Sequence, residues 1–209
     1  FSLAFEGVVI FWFTIGSLLQ PGTIIDPPSP PDSDGFDSPV GTEEERRSDT
    51  IYPGHWVDVN PWMNLYTIRP GVEHYHTGSD LNLNYPAWDS DRGKPVYATA
   101  NGTVTCSRIL SNAWGNVIVI EHDSVFSRYA HLDKMLVAEG QAVERGQQIG
   151  TVGRNLNDGP YHLHFDISYT EILRHNPGHW PGTNSAAVGE NYLDPQLFIS
   201  ENRPFIEGE

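Results

Sequence analysis

Three short stretches of the chain combine histidine with other groups that do chemistry, and the sharpest of them is His162-Leu-His164-Phe-Asp166. Side chains along a β-strand point alternately to the two faces of a sheet. If this stretch is a strand, His162, His164 and Asp166 share one face and the apolar residues between them share the other. We expect the polar face to line a cleft, where paired imidazoles and a carboxylate suit metal binding or acid–base chemistry.

The second pattern is His76-Thr-Gly-Ser-Asp80, in which the histidine and the aspartate are four residues apart. Zinc accepts imidazole nitrogen and carboxylate oxygen, and hydrolytic zinc sites use three protein ligands with the fourth position open to water. His76 and Asp80 would complete such a site with either His162 or His164. The alternative for this pattern alone is a surface loop with a capping aspartate.

The third pattern is Tyr129-Ala-His131-Leu. It has the alternation of another strand, which predicts that Tyr129 and His131 lie on one face. By itself it indicates only a strand histidine with no special role.

Other histidines carry weaker signals. His74 is interpreted as an ordinary loop residue, with a position at the rim of the cleft as the alternative. His175 and His179 are four residues apart, but the Pro-Gly pair between them excludes the regular helix that would align their rings, so no second metal is predicted there.

Strands are the elements that must position these groups. From residue 51 onward the chain runs in short apolar stretches punctuated by glycine, without a useful helical stripe. The sequence therefore predicts a mainly β fold, a compact antiparallel β-sheet domain with long loops, and a final segment from residue 170 that wraps the sheet. The predicted strands cover residues 95–98, 102–109, 116–121, 127–132, 148–152 and 162–167.

The first 50 residues have a different composition. Residues 1–19 are apolar apart from Glu6, and the 13 residues from 7 to 19 are uncharged, which is short for a membrane span of about 20 residues. They are typical of a signal peptide or of the remnant of a membrane anchor, with a buried element of the fold as the alternative. Residues 20–50, rich in Pro, Asp and Ser, predict a flexible linker, and residues 51–209 the folded domain.

Charge and cysteine content exclude some classes of protein. The net charge is −15 and no cluster of Lys or Arg occurs, which argues against nucleic acid as a partner. The single cysteine, Cys106, cannot form an internal disulfide and is expected to be a small buried residue.

Taken together and in this order, the three histidine patterns resemble the lysostaphin/LytM family of zinc endopeptidases over roughly residues 70–170. The likeness extends beyond the candidate ligands to the glycine-spaced stretches around them. These are Gly93-Lys-Pro-Val-Tyr-Ala, Trp114-Gly-Asn-Val-Ile-Val-Ile-Glu and Val137-Ala-Glu-Gly-Gln-Ala-Val.

The resemblance implies specific roles for five residues. It assigns one Zn²⁺ ion to His76, Asp80 and His164, and catalysis to His131 and His162. It also implies the duplicated hybrid motif fold, the peptide part of bacterial peptidoglycan as substrate, and a secreted, periplasmic or membrane-anchored protein. It says nothing of the oligomeric state.

Two departures from the family pattern are visible, and neither removes a ligand. Tyr161 stands between Gly159-Pro160 and His162, where the family often runs directly into histidine, and Asp166 replaces a more frequent glutamate. Asp166 either orients an imidazole or is a solvated strand residue.

The pattern leaves the general base open between His131 and His162, since no H-E-x-x-H helix supplies a glutamate. Two other functions compete with wall hydrolysis. One is a non-catalytic wall-binding or regulatory module on the same fold, and the other is a metallopeptidase that acts on proteins or free peptides.

Overall fold

The computed structural model describes residues 34–204 of the chain. In that part lie four short helices and twelve strands. The helices are α1 (Glu43–Arg46), α2 (Ile172–His175), α3 (Ser185–Gly189) and α4 (Pro195–Glu201). The strands are β1 (Trp56–Asn60), β2 (Leu65–Arg69), β3 (Val72–Tyr75), β4 (Ser79–Leu83), β5 (Pro95–Tyr97), β6 (Gly102–Ser111), β7 (Gly115–Glu121), β8 (Phe126–Met135), β9 (Ala142–Val143), β10 (Gln148–Val152), β11 (Leu163–Ser168) and β12 (Tyr192–Leu193).

Ten of these strands form one antiparallel sheet. Its main order is β1-β4-β11-β8-β7-β6-β9. β10 joins this order through β8, β5 pairs with β10, and β12 pairs with β11. β2 and β3 form a separate hairpin. β11 therefore lies between β4 and β8, so three stretches that carry candidate functional residues are neighbours.

The sheet is covered on both faces, as β7 demonstrates. Ile118 and Ile120 belong to one buried apolar cluster, whereas Val117 and Val119 belong to a second cluster on the opposite face. Burial on both faces explains why this strand is a continuous apolar run rather than an alternation of polar and apolar residues. The second cluster is the smaller one, and the C-terminal segment with α2 and α3 packs against it.

The prediction of a mainly antiparallel β fold is confirmed, and each of the six predicted strands overlaps an observed one. β1 to β4, β9 and β12 were not predicted. β4 is short and mixes polar with apolar residues, so its sequence, Ser-Asp-Leu-Asn-Leu, lacks the apolar run that identified the others.

Residues 34–50 pack on the domain, whereas their composition predicted a linker. Phe36 and Val40 are buried in the larger cluster, and Arg145 forms ion pairs with Asp34 and Asp37. Two buried apolar side chains and two ion pairs with Arg145 hold this segment on the domain. Because these contacts are isolated, the segment has no periodic apolar pattern by which its packing could be predicted. For residues 1–33, the apolar segment, the linker and the boundary between them stay predictions.

The predicted signal peptide or anchor, residues 1–19, lies outside the described residues. Within residues 34–204, none of the helices has the length and apolar character needed to cross a bilayer.

Candidate metal centre

Side-chain atoms of His76, Asp80 and His164 form a nearly equilateral triangle. The distance from His76 Nε2 to His164 Nδ1 is 3.0 Å, from His164 Nδ1 to Asp80 Oδ1 3.0 Å, and from His76 Nε2 to Asp80 Oδ1 3.1 Å. Within the described residues this is the one group of three His, Cys, Asp or Glu side chains arranged to hold a metal ion.

The sheet register and one glycine create this convergence. Asp80 on β4 is the direct cross-strand partner of His164 on β11. Gly78 lies between His76 and Asp80, and a Cβ atom there would collide with the carbonyl oxygen of Phe165. The absence of a side chain at residue 78 therefore lets the chain approach β11 closely enough for both ligand candidates to reach the same point.

Burial leaves the triangle accessible mainly through Asp80. The side chains of His76 and His164 are each 2% exposed, and that of Asp80 is 14% exposed. Burial alone would raise the pKa of Asp80, but the charges of His76 and His162 outweigh it and hold this pKa well below its usual range. Asp80 is therefore ionised, as a metal ligand must be.

The second ring nitrogen of His164 is fixed by Asp166. His164 Nε2 donates to Asp166 Oδ2 at 3.0 Å, so the lone pair on Nδ1 points into the triangle. Burial opposes ionisation of Asp166, but the charge of Arg128 and the bond from His164 outweigh it and lower the pKa of Asp166 to about 2. Of the two roles considered for Asp166, orientation of an imidazole is the one that its complete burial supports.

Arg128 holds this carboxylate in place. It is fully buried, and its guanidinium forms an ion pair with Asp166. Another guanidinium nitrogen donates to the carbonyl oxygens of Pro177 and His179, at 2.9 and 3.0 Å. One side chain thus links the ligand-orienting carboxylate to the C-terminal segment.

His131 and His162 lie together beside the triangle. Their ring centroids are 4.7 Å apart, and the ring of His131 is 5.9 Å from that of His164. Nδ1 of His131 is bonded to the Trp114 carbonyl and Nδ1 of His162 to the Pro160 carbonyl, at 3.1 and 3.0 Å. Because carbonyl oxygens only accept, each ring carries a proton on Nδ1, and in the neutral imidazole Nε2 is then the acceptor.

A β-bulge aims His131 into this cleft. Ala130 and His131 together lie opposite a single residue of β7, and His131 has a positive φ of 63°. The prediction that Tyr129 and His131 share one face was therefore wrong. Tyr129 lies in the larger apolar cluster, whereas His131 faces His162 and His164.

Aromatic side chains form the wall around the triangle. The ring of Trp180 is 6.1 Å from His76 and 5.9 Å from His164, and its indole N–H donates to His74 Nδ1 at 2.8 Å. Tyr66 on the β2–β3 hairpin is 5.7 Å from His76. The interpretation of His74 as a loop residue was wrong, because it lies within β3 and supports this wall.

His175 and His179 have separate partners. His175 is paired with Glu171, at 3.4 Å, whereas Nδ1 of His179 is 2.9 Å from the hydroxyl of Tyr192. Cys106 is buried in the smaller cluster, as expected.

Comparison with known proteins matches residues 74–177 to the model of peptidase family M23. That range includes all five candidate residues. The peptidoglycan DD-endopeptidase ShyB of Vibrio cholerae is 40% identical over 111 residues, which are 53% of this chain and 25% of that protein. The chain thus matches about a quarter of the length of this relative.

A second group of relatives is not named as peptidases. The lipoprotein NlpD of Yersinia enterocolitica is 43% identical over 79 residues, 37% of this chain and 80% of that sequence. Its counterpart in Escherichia coli, 42% identical over 79 residues and matched over 21% of its length, is named a murein hydrolase activator.

Among solved structures, a chain of the SpoIIQ–SpoIIIAH pore-forming complex has the same fold. The TM-score is 0.56 at 21% identity, and the match covers 81% of this chain and 92% of that one.

Proposed function

Because the chain belongs to peptidase family M23, we propose that it is a zinc-dependent endopeptidase that hydrolyses peptide bonds of bacterial peptidoglycan. One observation supports this above all others. Two imidazole nitrogens and one carboxylate oxygen meet at 3.0–3.1 Å from one another, and the outer nitrogen of His164 is fixed by Asp166.

The donor set of this triangle fits zinc. Neutral imidazole and ionised carboxylate are preferred zinc ligands, and hydrolytic sites use three of them with a hydrogen-bonded carboxylate behind a histidine. We therefore assign the ion to His76, Asp80 and His164. When bound, zinc supplies a Lewis acid that polarises the scissile carbonyl and acidifies water.

His131 and His162 supply the acid–base chemistry in this proposal. In its neutral form each ring presents an unprotonated Nε2 to the cleft, because a backbone carbonyl holds its Nδ1 proton. His162 is nearer the triangle, with Nε2 at 3.7 Å from Asp80 Oδ1, so we assign it the proton of the attacking water. That proton can then pass to the leaving amine, while His131 packs against the ring of His162 and holds its orientation.

The names of relatives guide the choice of bond. Since the Vibrio cholerae relative is named a DD-endopeptidase, we propose the D,D cross-link of peptidoglycan as the bond cleaved. Such a substrate requires an extracytoplasmic protein, whether secreted, periplasmic or anchored.

The test is digestion of purified, cross-linked peptidoglycan by zinc-loaded protein, with mass spectrometry of the released muropeptides. We expect dimers to be converted to monomers, and a His162→Ala variant with full zinc content to convert them about 10²–10⁴-fold more slowly. Intact dimers after prolonged digestion by protein with one zinc ion per chain would contradict the proposal.

A regulatory module is the second candidate, and the murein hydrolase activator among the relatives is the observation that favours it. A complete ligand triangle with two further histidines is not needed for activation alone. If the native protein leaves dimers intact but increases muropeptide release by a separate wall hydrolase, and His162→Ala does so equally, the regulatory function is correct.

A further inference from the structure

The end of β4 and the loop that follows it contain four buried side-chain oxygens without a hydrogen-bond partner. They are the Oδ1 atoms of Asn82, Asn84, Asp89 and Asp91. Asn82 and Asp91 are 1% and 0% exposed as whole residues. Buried polar atoms are nearly always paired, so a group of four within ten residues indicates a bound ion or ordered water.

Two hydrogen bonds fix the orientation of the Asn82 amide, and therefore which of its atoms is unpaired. Its Nδ2 donates to the carbonyl oxygen of Tyr161 at 2.7 Å and to Asp91 Oδ2 at 3.2 Å. Both partners are acceptors, so the amide cannot be turned over. Oδ1 of Asn82 is therefore left as a free acceptor beside a buried carboxylate.

The negative charges of Asp89 and Asp91 also favour a bound cation. Among the described residues, neither Asp89 nor Asp91 forms an ion pair with Lys, Arg or His, and the guanidinium of Arg92 lies over the Tyr161 ring at 5.1 Å instead. Burial, followed by the nearby charge of Asp89, raises the pKa of Asp91 to about 6. Asp91 is buried and Asp89 is half-buried, and two such carboxylates without a counter-ion are costly unless a cation neutralises them.

We propose that Asn82, Asn84, Asp89 and Asp91 form a binding site for a hard divalent cation, Ca²⁺. All four unpaired donors are oxygens, two from carboxylates and two from amides. Ca²⁺ takes such mixed sets of six to eight oxygens, completed by backbone carbonyls and water, whereas zinc prefers nitrogen and sulfur. The site is thus distinct in chemistry from the histidine triangle, and it does not depend on the proposed peptidase activity.

The position of this site gives the cation a structural role. Asn82 is two residues beyond Asp80 on β4, and its amide holds the carbonyl of Tyr161, the residue before His162. A cation on Oδ1 would fix the Asn82 amide. It would also fasten the loop between β4 and β5, on which Tyr85 and Trp88 are 60% and 65% exposed.

The test is calorimetric titration of Ca²⁺ into zinc-loaded protein freed of calcium, with the melting temperature and zinc content of the same samples. We expect one Ca²⁺ per chain and a higher melting temperature at unchanged zinc content. Asp89→Asn and Asp91→Asn should each weaken Ca²⁺ binding by at least roughly 10–100-fold. Asp133→Asn, an exposed aspartate on β8, is the matched control and should bind like the native protein.

Three outcomes would overturn the site. The first is the absence of both binding heat and a thermal shift in the native protein, which means that water occupies the segment. The second is native affinity in Asp89→Asn, which remains informative even if Asp91→Asn does not fold. The third is Ca²⁺ binding that disappears in His76→Ala, which would place the ion at the histidine triangle.

Discussion

His164 and Asp166 lie on the same face of β11, and Nε2 of the histidine donates to Oδ2 of the aspartate at 3.0 Å. This bond selects the tautomer of His164 that leaves Nδ1 free for the triangle. It also makes Asp166 the link between a candidate ligand and the fully buried Arg128.

Asp166→Asn should therefore affect both metal binding and stability. Loss of the carboxylate removes the acceptor that orients His164, and zinc affinity should fall roughly 10–100-fold. It also leaves Arg128 buried without its counter-ion, which should lower the free energy of unfolding by about 3–5 kcal/mol. Zinc titration and urea unfolding measure the two effects, with Asp133→Asn as the exposed control. Native zinc affinity in a folded Asp166→Asn variant would remove Asp166 from the site.

His76→Ala, Asp80→Ala and His164→Ala should each lower zinc content and abolish peptidoglycan cleavage, because two remaining ligands hold an ion weakly. Elemental analysis after dialysis measures the metal. His175→Ala is the control, since His175 is exposed and paired only with Glu171. One zinc ion per chain in all three variants would refute this ligand set.

His131→Ala and His162→Ala should keep zinc near the native level while the rate falls about 10²–10⁴-fold, which is typical of an acid–base group. Because both imidazoles serve one transition state, the double variant should lose less than the product of the two single losses. Steady-state rates on a cross-linked muropeptide dimer, with zinc content of each sample, provide the check. Full activity of His131→Ala would exclude that residue from the mechanism.

Stability should fall in mild acid because of His122, a buried histidine away from the triangle. Its Nδ1 is bonded to the Asn101 carbonyl at 2.7 Å and its Nε2 to Ser127 Oγ at 2.8 Å. Burial lowers the pKa of His122 from 6.5 to about 4. The unfolded chain therefore binds a proton near pH 6.5 that the folded chain does not bind until near pH 4.

His122 thus imposes no penalty above about pH 6.5, and stability decreases as the pH falls toward 4, by about 3 kcal/mol in total. Urea unfolding at several pH values measures this. His122→Asn should show a smaller decrease between pH 6.5 and 4 than the native chain, whereas His175→Ala should retain the full decrease. Equal slopes in the native chain and His122→Asn would contradict this assignment.

A chain that begins at Asp34 should be more stable than one that begins at Ile51. The shorter chain loses the buried side chains of Phe36 and Val40 and the Asp37 partner of Arg145. Burial of two such apolar side chains contributes about 3–6 kcal/mol. Thermal unfolding compares the two chains, and equal melting temperatures would support the linker that composition predicts for residues 34–50.

Local sequence patterns predicted those parts of the molecule that local rules control. An apolar run located β7. Alternation of polar and apolar residues located β11, and it placed His164 and Asp166 on one face because β11 is regular. The same rule failed for His131, since a bulge is decided by pairing with β7 and leaves no mark in the sequence of β8.

Long-range contacts account for most of what the sequence did not reveal. Arg128 looks like an ordinary strand residue, yet its partners include a carboxylate 38 residues away and carbonyls about 50 residues away. Trp180 is held at the cleft by the hydrogen bond from its indole N–H to His74, which lies 106 residues earlier in the chain. The chain contains six tryptophans, and composition alone does not say which of them forms this wall.

The cross-strand partnership of Asp80 and His164 also fixes when the site can exist during folding. The two residues are 84 positions apart, and β11 must insert between β4 and β8, both of which are synthesised before it. Closing a loop of that length is entropically expensive and late contacts of this kind form slowly. A nascent chain therefore has only the His76–Asp80 half of the triangle until its last long strand arrives, so capture of the ion should mark the completion of folding.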